Sequence, residues 1–150
     1  KNVTASIPSM VVQGVYGELL FLYTYMIPRY GVEKSIMAWA GPEGKSKDFA
    51  IDDCWYEIKT IGANTSKVHI SSMSQLSSDK PGRLVVIKVE AFADQYDGDY
   101  SCVADLFNKI KDEIKDEAIE NVFYSRFSLT GIVQSDEAMN LKFKSKEQLH

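Results

Sequence analysis

Apolar residues crowd the first thirty positions of this chain in a pattern with no polar face. Val11, Val12, Val15, Leu19, Leu20, Phe21, Leu22 and Met26 run nearly all the way round a helix that Pro8 and Pro28 bracket. A helix apolar on most sides is a buried one. Glu18 is the exception in it: at helical spacing it shares a face with Val15, Phe21 and Leu22, where an unpaired carboxylate would be costly.

The pattern then shortens to a period of two. Residues 35–40 (SIMAWA) read as a strand ending at the turn residues Gly41-Pro42-Glu43-Gly44. Residues 48–51 and 54–61 read as the arms of a hairpin, and a polar loop over 62–66 leads to a short strand at 68–70. Ser71 and Ser72 are N-cap candidates for a short helix carrying Met73, Gln75 and Leu76. Residues 84–89 (LVVIKV) read as a central, largely buried strand, and 92–100 as an acidic loop. Val103, Leu106, Phe107, Ile110, Ile114 and Ile119 trace one stripe of a long amphipathic helix whose other face is a solvated run of mixed charge. Residues 122–130 and 141–146 read as two further strands, the second with a basic edge of Lys142, Lys144 and Lys146. The order is helix, three strands, helix, strand, helix, strands, which predicts a mixed α/β domain with a sheet flanked by helices.

At 150 residues the chain is expected to be one domain; lacking an initiator Met, it is also expected to be a fragment or core of a longer chain. No apolar run reaches the roughly 18 residues that a bilayer crossing requires, so no membrane association is expected. Cys54 and Cys102 show no metal-like spacing, which fits a reducing cytoplasm and leaves a single disulfide open. Two histidines and two cysteines give little basis for a zinc site, so any metal should be a hard cation held by oxygens. A net charge of −4 argues against a non-specific nucleic-acid coat but not against nucleic-acid chemistry at a local site.

The candidate chemistry lies in DFAIDDCWYEIKT, residues 48–60. A turn centred on Asp52-Asp53 would pair Ile51 with Cys54, Ala50 with Trp55, Phe49 with Tyr56 and Asp48 with Glu57. Alternation along the strands then puts Asp48, Glu57 and Lys59 on one face. Like charges directly opposite destabilise a sheet, and a divalent cation between them would remove the repulsion. The plainer alternative is an edge hairpin with solvated acids that Lys59 neutralises locally. An acid-x-Lys triplet is a weak signal by itself, since this chain has three, but only Glu57-Ile58-Lys59 has an acid in pairing position upstream. Glu18 likewise reads either as a carboxylate at a helix rim or as a third acid of the same site.

Four segments in order, GELLFL (17–22), WAGPEGKSKDF (39–49), EIKT (57–60) and ISSMSQL (70–76), resemble the bacterial PD-(D/E)xK-motif proteins of the restriction-endonuclease-like superfamily, a likeness covering about residues 14–90. The resemblance implies a restriction-endonuclease-like αβββαβ core with a central mixed sheet. It places Asp48 as the first motif acid, Glu57 as the second, Lys59 as the motif lysine and Glu18 as the acid of the first helix, with Gln75 an accessory residue. Lys47 stands where the motif has proline. The chemistry implied is Mg²⁺-dependent hydrolysis of DNA phosphodiesters, with Mn²⁺ able to substitute. Asp48, Glu57, the Ile58 carbonyl and Glu18 would be ligands, and Lys59 would orient water and offset developing charge. The same resemblance implies a cytoplasmic role in restriction or phage defence, with DNA and other defence proteins as partners; a homodimer is left open. Two rivals stand beside it: a non-catalytic nuclease-fold module that binds DNA or a partner protein in a larger assembly, and an ordinary α/β interaction domain.

Overall fold

The computed structural model describes residues 7–40, 47–64 and 80–149. The chain opens with helix α1 (Ser9–Phe21), a π-helical turn (Leu22–Met26) and helix α2 (Ile27–Tyr30) in one continuous run. The π-turn has a local cause. Pro28 lacks an N–H, and its ring would collide with the carbonyl four residues back in a regular α-helix. Widening the preceding turn, so that the Ile27 N–H donates to the Leu22 carbonyl, carries the helix past it. By length and composition the run Ser9–Tyr30 does reach that of a membrane span, unlike the residue-by-residue reading, but half of it is buried in the domain. Val12, Leu19, Phe21, Leu22 and Met26 are fully buried, so its apolar surface lies in the core.

Gly31, at φ +91°, turns the chain into α3 (Val32–Ala38). Residues 35–40 are therefore not the expected strand. A six-residue apolar alternation fits a buried helix as well as a strand, and here the helix buries Ser35, Ile36 and Ala38 while Met37 faces solvent. Only Trp39 becomes extended, forming a single bridge to Phe49. The hairpin follows as β1 (Phe49–Ile51) and β2 (Cys54–Gly62), with the expected pairs Phe49–Tyr56, Ala50–Trp55 and Ile51–Cys54. Asp52 takes the left-handed turn conformation (φ 49°), which aspartate tolerates better than most residues.

β3 (Gly82–Phe92) runs parallel to β2 with Ile58 against Val85, and β4 (Lys142–Leu149) runs antiparallel on its far side. The sheet order is β1-β2-β3-β4. Parallel neighbours require a crossover of a dozen or more residues. That connection contains the expected strand at 68–70 and the helix with Gln75, both outside the described residues. β3 is central as expected, with Val85, Ile87 and Val89 facing the core.

The expected single long helix is two: α4 (Val103–Glu113) and α5 (Glu117–Ser128). Ile114 is extended, and Asp116 starts a new helix by accepting from the Ala118 N–H at 2.8 Å. The expected strand at 122–130 is thus the second half of α5, to Ser128, and the turn that follows it. Its β-favouring Val122, Phe123 and Tyr124 yield to a helical repeat that buries Ile119, Phe123 and Phe127. The result is a mixed four-stranded sheet flanked by helices, with α1 packed on β2 and α4, and α3 on α5 and β1.

Gly17 sets the distance between α1 and the sheet. A Cβ at that position would lie 2.9 Å from Thr60 Cβ and 3.0 Å from its Cγ2, closer than packed carbons allow, and nearer still to Oγ1. The next residue is Glu18, so this close approach brings its carboxyl down towards β1. Gly17→Ala is expected to destabilise the fold by about 1–3 kcal/mol through overpacking. Thr60→Ala should restore part of that loss, because it removes Oγ1 and Cγ2, leaving only the Cβ contact, and with them a buried hydroxyl that lacks a hydrogen-bond partner. Denaturant midpoints of the two single variants and the double variant test this; additive losses would contradict it.

Candidate active site

β1 is short, and its ladder with β2 ends at the Phe49–Tyr56 pair. Asp48 therefore lies just outside the strand and does not complete the Asp48–Glu57 cross-strand pair that the hairpin predicts. Its carboxylate does something else. Oδ2 accepts from the Ile58 N–H at 2.7 Å, taking the place of the main-chain acceptor that β1 no longer supplies. The Asp48 carbonyl accepts from the Ala40 N–H at 2.8 Å, tying β1 to the end of α3. N–H and C=O of one strand residue face the same neighbour, so the Ile58 carbonyl is directed towards the edge that β1 vacates.

Glu57 follows on β2 and is only 8% exposed. Oε2 lies 3.7 Å from Lys59 Nζ, and Oε1 is buried with no hydrogen-bond partner. Lys59 is two residues on along β2 and shares that face, as the alternation predicts. Glu18 reaches the same place from α1: Oε1 accepts from the Trp39 indole N–H at 2.8 Å, and the carboxyl is close enough to Asp48 for the two charges to oppose each other. Glu18, Asp48, Glu57 and Lys59 are thus electrostatic neighbours at one end of the hairpin. Gln75 lies outside the described residues.

All three carboxyls bind protons more tightly than usual. Glu18 is pushed up to about 8, chiefly by burial and then by the charge of Asp48, against the smaller opposing effect of the Trp39 hydrogen bond. Glu57 is pushed up to about 7 by burial and by Asp48, more than Lys59 and Lys47 offset. Asp48 is raised by burial, while the Ile58 N–H and Lys59 act in the opposite direction. At neutral pH, protons and Lys59 do the neutralising that the hairpin's charges require.

Two side chains at the site escape the reading of the sequence. Trp39 is fully buried and gives Glu18 its hydrogen bond. Lys47, 9% exposed, holds its ammonium 4.6 Å from the centroid of the Trp55 ring and close enough to Glu57 to favour its ionised form. Both lie in the WAGPEGKSKDF segment, and the nearness of Lys47 to Asp48 was the available signal.

Among the described residues, no group of three or more His, Cys, Asp or Glu side chains stands closed around a point as a ready metal cage. The donors nevertheless suit a hard divalent cation. They are all oxygens, the carboxyls repel one another, and Glu57 Oε1 is a buried acceptor without a donor.

A mixed sheet flanked by helices, with an acid at the entry to a hairpin and Glu-x-Lys on its second strand, defines the restriction-endonuclease-like class. A family model described as "Putative PD-(D/E)XK family member (DUF4420)" matches residues 1–150, and the chain belongs to this family. The family is of the nuclease type and points to hydrolase chemistry with a divalent metal. No curated protein and no solved structure matches the chain.

The raised carboxyls set the sign of the pH dependence. Glu57 and Glu18 bind protons more tightly folded than unfolded, so the stability they contribute is complete below about pH 4.5. It is lost as pH rises through about 7 and about 8 respectively. The metal-free protein should therefore melt at progressively lower temperature across that window, and Glu18→Gln should flatten the upper part of the decline. A divalent cation should reverse it and release protons at pH 7, measurable by titration calorimetry in buffers of different ionisation enthalpy. Identical pH profiles for wild type and Glu18→Gln would refute this assignment.

Proposed function

We propose that this chain is a metal-dependent DNA endonuclease that hydrolyses phosphodiester bonds, with Mg²⁺ as its metal and Mn²⁺ able to replace it. The observation that carries the reading is the meeting of Glu18, Asp48, Glu57 and Lys59 where β1 leaves β2. Asp48, Glu57 and the Ile58 carbonyl would hold the cation, and Glu18 a second ion or its water. When bound, a divalent cation supplies a Lewis acid for the scissile phosphate and lowers the pKa of water.

The chain's own residues do the rest. The Ile58 N–H keeps Asp48 oriented in the absence of metal, so ligand geometry need not be rebuilt on binding. Lys59 is held beside Glu57 and presents a fixed positive charge to the attacking water and to the phosphate oxygens. That charge counts most in the transition state, where negative charge on those oxygens grows. The resemblance to restriction-type proteins supports a cytoplasmic setting in DNA restriction or phage defence, alone or with other defence proteins. The absence of a closed cation cage among the described residues favours a second reading, a nuclease-fold module that binds DNA or a partner without cutting.

Plasmid cleavage separates the two. Wild type should nick or linearise DNA with Mg²⁺ or Mn²⁺ and not with EDTA. Lys59→Ala should cleave about 10²–10³-fold more slowly while still binding the metal. Asp48→Asn should lose cleavage yet keep its fold, because the amide oxygen can still accept from Ile58. Equal cleavage by all three proteins would refute the nuclease assignment, and DNA retention without cleavage by wild type would establish the binding module.

A further inference from the structure

Glu18 is held by a chain of contacts that begins on α5. Arg126 Nη1 donates to the carbonyls of Ile36 (3.1 Å), Met37 (2.8 Å) and Trp39. All three carbonyls lie at the C-terminal end of α3, where a helix leaves its last carbonyls exposed; that of Ile36 also accepts from the Trp39 N–H at 3.2 Å. One guanidinium thus fixes the main chain from which Trp39 projects. The Trp39 ring packs against Phe123 of the same helix, with centroids 6.1 Å apart, and is fully buried. A buried indole N–H requires an acceptor, and this one finds Glu18 Oε1 at 2.8 Å. That hydrogen bond fixes how the Glu18 carboxyl is turned.

We propose that Trp39 and Arg126 are positioning residues for Glu18: α5, through the end of α3, sets the orientation in which this carboxylate meets the metal. The inference rests on the nuclease reading of Glu18 and extends the machinery to two residues that touch neither metal nor substrate. Partners of this kind fix which oxygen a ligating carboxylate offers, and their loss typically costs about 10–100-fold in metal affinity or rate.

The test is a double-mutant cycle with Trp39→Phe, which keeps an aromatic ring but removes the pyrrole ring and its N–H, and Glu18→Gln, which keeps an acceptor for the indole and removes the charge. Both Mn²⁺ affinity by electron paramagnetic resonance and single-turnover cleavage are read. Trp39→Phe alone should lower affinity and rate by about 10–100-fold, whereas in the Glu18→Gln background it should change either by less than about threefold. A merely structural role would cost the same factor in both backgrounds, and that result would overturn the proposal. Arg126→Lys provides the second variant: it retains the charge but not the planar guanidinium, and should produce a smaller loss that also vanishes with Glu18→Gln. Wild type that binds Mn²⁺ without cutting DNA would refute the nuclease reading while the affinity cycle still decides the positioning role. Wild type that does neither would overturn both.

Discussion

One hydrogen bond organises the site: the Ile58 N–H donating to Asp48 Oδ2 at 2.7 Å. A strand N–H that loses its ladder partner must find another acceptor, because a buried unsatisfied donor is costly. Here the acceptor is a side chain that also carries charge. Because Asp48 is tied to the main chain of β2, Glu57 and Lys59 on either side of Ile58 cannot be elsewhere. The end of a hairpin becomes a cluster of three acids and a lysine.

That cluster has to be tolerated by the fold, and the helices show how. Gly17 lets α1 settle against Thr60, which brings Glu18 close to Asp48. The arrangement sets carboxyls against one another in partly buried surroundings, where burial is the largest cause of their raised proton affinity. Lys59 and Lys47 offset part of this, the Trp39 indole another part. What remains is a site with more negative charge than its surroundings favour, and a divalent cation is the partner best suited to it. Polar strain held at one end of an otherwise well-packed sheet is expected of functional sites rather than of structural ones.

The hairpin was legible in the sequence because its signals are local. Two adjacent aspartates make the turn, alternation decides which residues face together, and the pairing of residues 49–51 with 54–56 follows. The buried first helix and the central strand β3 were equally legible, since their apolar patterns exceed what a surface element carries. Residues 35–40 and 122–130 were not. In both, short apolar runs with β-favouring residues suit a strand or a buried helix equally, and only the neighbouring elements decide between them. The break at Ile114 was hidden too, because the apolar stripe continues from α4 into α5 across it.

The identity of the charged residues and their order along the hairpin were determined by the sequence alone. Their chemical environment was not. Whether Asp48 pairs across the ladder or turns to the Ile58 N–H depends on where β1 ends. Whether Glu18 lies at a solvated rim or beside Asp48 depends on how closely α1 can approach β2. The company of Trp39 and Arg126, 87 residues apart, depends on α5 packing against α3. Proton affinity, ligand orientation and mutual repulsion vary with separations of a few ångströms and with burial. Such separations between distant parts of the chain exist only once the tertiary structure has formed.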